Sequence, residues 1–128
     1  MHASKLAYPI VFFYIQITLT LSLFHLKVIM VKLIALYKPP EDKAAFDQHY
    51  ADIHTPLVMK MPGLRKLEVA QITGAPIGEP KHYLIAEMFF DNQEAMTSAL
   101  ASSEGKATAR DLMSFASTLV TMMYAEVR

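Results

Sequence analysis

The sequence predicts an α+β domain, a sheet with helices on one face whose elements run β-α-β-β-α-β. Three observations lead there. Four apolar runs have strand length, two longer stretches carry helical periodicity between them, and Pro/Gly clusters separate the elements. The pattern fills residues 31–128 of a 128-residue chain, and one domain accounts for that length.

The first run, Val31 to Lys38, is apolar on both faces in its middle and ends at Pro39-Pro40. A strand of that kind needs cover on both faces. From Asp42 to Met61 the apolar residues Phe46, Tyr50, Ile53 and Leu57 recur at helical intervals and form one stripe. Pro56 interrupts this helix, because it lacks an amide donor and disfavours a helical Thr55, so a kink or break is expected near residue 55. Pro62-Gly63 closes the element. Leu64 to Thr73 reads as the second strand, with Leu67 and Val69 opposing Lys66 and Glu68. Residues 74–80, rich in Gly and Pro, form a hairpin loop. Tyr83 to Phe90 is a third strand, apolar except for Glu87. Asp91 and Glu94 have the spacing of a capping box ahead of a helix that carries Met96, Ala99 and Leu100 on one side. Ser102 to Ala116 reads as a less regular helical piece interrupted at Gly105, and Leu119 to Val127 as the last strand. This order is the ferredoxin-like arrangement. Helices cover only one face of such a sheet, while three strands remain apolar on the other, so a homodimer is expected.

Charge divides the chain unevenly. Lys and Arg number 12, as do Asp and Glu, yet no acidic residue precedes Glu41. The net charge of zero argues against a nucleic-acid partner, which requires a basic excess. With no cysteine there are no disulfides, thiol nucleophiles or Cys-ligated metals, and a reducing, cytoplasmic setting fits. Residues 1–30 stand apart as a hydrophobic N-terminal extension. Residues 6–26 carry no formal charge and are long enough to span a bilayer as a helix. Three readings compete for this segment: an upstream extension ahead of a natural start at Met30, a membrane anchor, or a signal peptide. The signal reading lacks a small-x-small cleavage site. A membrane partner is expected only where residues 6–26 are retained as an anchor.

The runs FDQHYADIHTPLVMKMPGLRKLEV, ITGAP, YLIAEMFFDNQEAMTSALASSEGKATARDL and VTMMYAEV resemble the EthD family of small dimeric α+β-barrel proteins. The resemblance covers residues 31–128, and its most specific part is H-x-P-L followed by P-G-L-R. It implies a homodimeric barrel, a pocket near the kinked helix, and an oxidoreductase or a cofactor-free tailoring enzyme acting on an apolar small molecule.

The resemblance makes His54, the histidine of H-x-P-L, the leading catalytic candidate. Tyr50 lies four residues earlier and neighbours it on a helix. Imidazole serves as acid or base near neutral pH, and the Tyr50 hydroxyl would orient substrate. The structural alternative has His54 tying down carbonyls released by Pro56. His49 precedes His54 by five residues, a poor spacing for a shared helical face, and reads as a solvated surface histidine. Glu87 is read in two ways: a buried carboxylate of raised pKa acting as acid or base, or a residue at the sheet rim or dimer interface paired with Lys or Arg. Tyr37 and Tyr83 are expected to line the same pocket, and the nine methionines suit a tolerant apolar one. No P-loop, G-x-G-x-x-G, nucleophile elbow or metal cluster is present. No cofactor is expected; haem with a histidine ligand is the alternative. A non-catalytic ligand-binding or stress-response protein of the same fold is the second functional reading.

Overall fold

The computed structural model describes residues 29–128. The hydrophobic stretch 6–26, and the anchor, signal and extension readings placed on it, lie outside the described residues. Among the described residues, no helix is long and apolar enough to cross a membrane.

Four strands, β1 (Val31–Tyr37), β2 (Lys66–Gln71), β3 (Leu84–Phe90) and β4 (Val120–Glu126), form one sheet in the order β2-β3-β1-β4 with every pair antiparallel. This is the α+β, ferredoxin-like fold that the sequence predicts. Val31, Leu33, Ala35 and Tyr37 of β1 are buried on the helix side, with Leu84, Ala86, Met88 and Phe90 of β3 beside them. Their alternation follows the two-residue period of a strand. Two rows cross this face. Leu67, Met88, Leu33 and Tyr124 make one, and Val69, Ala86, Ala35 and Met122 make the next. The second row is short in the middle, where two alanines stand side by side.

The helices are capped by short polar side chains. Asp42 accepts from Ala45 N at 3.0 Å ahead of α1 (Lys43–His49), and Asn92 accepts from Ala95 N at 2.8 Å ahead of α3 (Gln93–Ala101). The cap is therefore Asn92 and not the expected Asp91. The Asp91 carboxylate instead takes both Nε and Nη2 of Arg65, at 3.0 and 2.6 Å, tying the start of β2 to the end of β3. Ser102 caps α4 (Ser103–Ala116), which runs unbroken through Gly105. The expected interruption does not occur, because Gly105 lies in the first turn of α4 and its missing side chain lets the preceding helix end against it.

Pro56 gives rise to a π-turn rather than a break. After α1 the chain makes one wider turn, Tyr50–His54, in which Thr55 N donates to Tyr50 O, and it continues as α2 (Thr55–Met59). Proline brings no N–H, and its ring would press on the carbonyl four residues back. Widening the turn ahead of it removes the need for that bond. The insertion delays the helical phase by one residue. The buried stripe is therefore Phe46, Tyr50, His54 and Val58, while Ile53 is 48% exposed and Leu57 half-buried. The expected stripe through Ile53 and Leu57 is corrected by that single residue.

Candidate functional site

A cavity of about 300 Å3 lies between the sheet and the helices. Its floor is the helix-side face of the sheet, and Ala35 and Ala86 leave the depth there. Its wall includes Tyr50, His54 and Val58 from the π-turn and α2, and Thr108 and Leu112 from α4. Met61, Met88, Met122 and Met123 also line it, the adaptable apolar surface that the methionine content suggests.

His54 supplies the cavity's imidazole. It is almost fully buried, and its Nδ1 donates to Asp111 Oδ2 at 2.9 Å. A nitrogen facing a carboxylate oxygen carries the proton, so Nε2 keeps its lone pair. Burial holds the imidazole below its ordinary range; Asp111 pulls it partly back, and the nearby His49 opposes that. At neutral pH His54 is therefore an uncharged base with a fixed tautomer.

The tyrosines play the opposite role. Burial pushes the Tyr50 hydroxyl up to about 12, with the Tyr37 hydroxyl drawing it somewhat down. Burial pushes Tyr37 higher still, reinforced by Tyr50 and by the charge of Asp111. Both hydroxyls stay protonated and remain donors. The Tyr37 and Tyr50 rings meet edge to face at 5.6 Å, and Tyr50 lies 5.4 Å from the His54 ring. The π-turn thus brings Tyr50 and His54 together on the cavity, as the four-residue spacing predicts.

Glu87 and Tyr83 are placed elsewhere. Glu87 belongs to the opposite face of the sheet, where Lys32 Nζ donates to it at 2.6 Å, since odd positions of β3 point away from the helices. It is paired with a lysine, as in the second reading, but on an inner strand rather than at the sheet rim. The Tyr83 hydroxyl donates to Asp47 at 2.9 Å, and its ring packs against Phe46, outside the cavity lining.

His49 is not the solvated histidine expected. It is half-buried, donates Nε2–H to Asp111 Oδ1 at 2.9 Å, and lies tilted against the Phe115 ring at 4.4 Å. Asp111 itself escaped the sequence reading. It is 57 residues from His54, and a lone Asp in an amphipathic helix carries no motif. Among the described residues, no cluster of three or more ligand-type side chains is arranged to hold a metal ion. The two imidazoles face different oxygens of one carboxylate and do not converge on a point.

Fold and cavity together define a ferredoxin-like α+β protein with an apolar cavity between its sheet and its helices. The chain belongs to the EthD family, whose domain matches residues 38–118. It is 33% identical over 97 residues to an uncharacterised 11.0 kDa protein of Rhodococcus erythropolis from the thcB–thcC intergenic region, covering 76% of this chain and 94% of that one. It is 52% identical to an ethyl tert-butyl ether degradation (EthD) family protein of Bacillus halodurans, whose crystal structure matches with a TM-score of 0.76 over 77% of this chain and 99% of that one. A dimeric ferredoxin-like protein of unknown function from Thermobifida fusca shares the fold alone: 11% identity, TM-score 0.57, 79% of this chain and 92% of that one.

Proposed function

We propose that the protein is a cofactor-free proton-transfer enzyme for a small apolar molecule, with His54 as the base. The observation that carries this reading is the 2.9 Å contact from His54 Nδ1 to Asp111 in the wall of an apolar cavity. It fixes the tautomer, presents Nε2 to the ligand, and places a carboxylate behind the imidazolium that forms. The substrate chemistry that suits these groups is a carbon acid next to a carbonyl. His54 Nε2 takes the proton, the C–H electron pair moves onto the carbonyl oxygen, and the Tyr50 hydroxyl donates to that oxygen with Tyr37 behind it. The arrangement favours proton transfer; nothing in the lining residues favours the oxidoreductase expectation. A volume of about 300 Å3 lies at the small end of ligand sites and suits a small apolar molecule.

The protein acts, on this reading, as a homodimer. Ile34, Leu36 and Ile85 share the sheet face that the helices leave uncovered, and a second copy would cover it.

The test needs no native substrate. A panel of apolar ketones and lactones is screened for binding, and deuterium exchange at the acidic carbon of each binder is followed in D2O. The wild type should catalyse exchange, His54→Gln should lose about 100–10,000-fold, and Tyr50→Phe should lose less. Binders that exchange at the same rate with wild type and His54→Gln would support the ligand-binding reading instead.

A further inference from the structure

We propose that His49 is the solvent-side member of the site, a positioning residue that orients Asp111 and sets how readily His54 holds a proton. This deepens the proton-transfer reading and rests on it for its catalytic meaning, while the coupling between the residues rests on geometry.

The three side chains form a chain from the outside inward. His49 is 27% exposed, Asp111 12% and His54 4%. His49 lines an outer groove with Glu41, Asp42 and Phe115, whereas His54 lines the inner cavity. Each imidazole takes its own oxygen of Asp111, both at 2.9 Å, so the carboxylate is held from two sides and does not turn. The Phe115 ring packs beside both, 4.4 Å from His49 and 5.1 Å from His54.

Charge gives this chain its consequence. Among the described residues no Lys or Arg lines the groove or the cavity, and the cationic partners of Asp111 are these two imidazoles. The other titratable groups facing them are Glu41 and Asp42 on the groove side and Tyr37, Tyr50 and Tyr124 on the cavity side. One carboxylate supports one imidazolium well, but two imidazoliums on it repel each other. With His49 neutral, the charge of Asp111 is available to His54 as it captures a proton. With His49 protonated that support is withdrawn, and the cavity base weakens. His49 thus transmits the pH of the groove to a side chain that solvent barely reaches.

The test is an NMR titration of ring-15N-labelled histidine in the full chain, for wild type, His49→Gln and His49→Leu. Glutamine keeps an N–H toward Asp111 without a titratable charge, and leucine keeps neither. In the wild type the His54 resonances should titrate at lower pH than in either variant. The downfield Nδ1 proton of His54 should persist in His49→Gln and broaden or disappear in His49→Leu. A purely structural His49 would leave the His54 midpoint where it is in His49→Gln, and that result overturns the proposal, as does a single, unshifted inflection in all three proteins. The readout is independent of turnover, so a chain that shows the coupling yet exchanges no ligand deuterium would refute the enzyme reading and leave this one standing.

Discussion

Ala35 and Ala86 stand opposite each other in the β1–β3 register, each 1% exposed, and the space above them is the floor of the cavity. Their neighbours on the same face, Leu33, Tyr37, Leu84 and Met88, are all larger. The hollow is therefore a property of two side chains rather than of the fold.

Filling that hollow should separate binding from stability. Ala86→Leu places apolar carbon in a cavity already lined by apolar groups, so the melting temperature should stay at the wild-type value or rise. Binding of an apolar probe should weaken by about tenfold or more, equivalent to ~1.4 kcal/mol or more. Calorimetric titration alongside a thermal melt measures both, and undiminished binding would move the ligand site elsewhere.

Acid should weaken the fold through His54. Burial lowers the native affinity of this imidazole for a proton, so the unfolded chain binds one at higher pH than the folded chain does. The contribution is complete above the unfolded value of ~6.5 and is lost as pH falls through the lower native one. Thermal melts should decline as pH drops from about 7 to about 5. His54→Asn, which keeps an N–H toward Asp111, should decline less over the same window. Parallel curves would mean that His54 does not govern this pH range.

Gly105 should tolerate no side chain. A Cβ there would meet the carbonyl oxygen of Leu100 at 2.7 Å and that of Ala99 closer still, and backbone cannot turn aside. Gly105→Ala should cost ~1–3 kcal/mol in chemical denaturation, as overpacking does. Gly74→Ala, with nothing within 4 Å, is the control and should be nearly neutral.

The uncovered face of the sheet gives the fourth expectation. Ile34 pairs across the sheet with Glu87 on one side and Met123 on the other. Ile34→Asp would set a second carboxylate beside Glu87 in the middle of that face. Sedimentation velocity should show a dimer for the wild type and a folded monomer for the variant. A wild-type monomer would refute the assembly.

Periodicity and punctuation made the element order readable, because strands with a two-residue period and helices with their own announce themselves locally. Position along each helix was less readable. The stripe written as Ile53 and Leu57 is His54 and Val58, since nothing local states that Pro56 is accommodated by a wider turn ahead of it. The same turn hid the histidine pair: five residues are a poor interval on an α-helix and a full turn on a π-turn. Asp111 was invisible for a different reason, being brought to His54 by the packing of α4 and not by spacing. Glu87 was visible, but the face it points to follows from strand register, which the sequence left unassigned.

The π-turn also says what this helix cannot lose. Deleting one residue from Tyr50–His54 would restore an ordinary helix and swing the parts on either side of the deletion by about 100° relative to each other. Pro56 would then sit inside an ordinary helix, with its ring against the carbonyl four residues back. His49 and His54 would no longer reach the same carboxylate. An alignment that closes a gap at this point would join proteins of one fold and two chemistries, and a graft of the site onto another scaffold must carry the surplus residue with it.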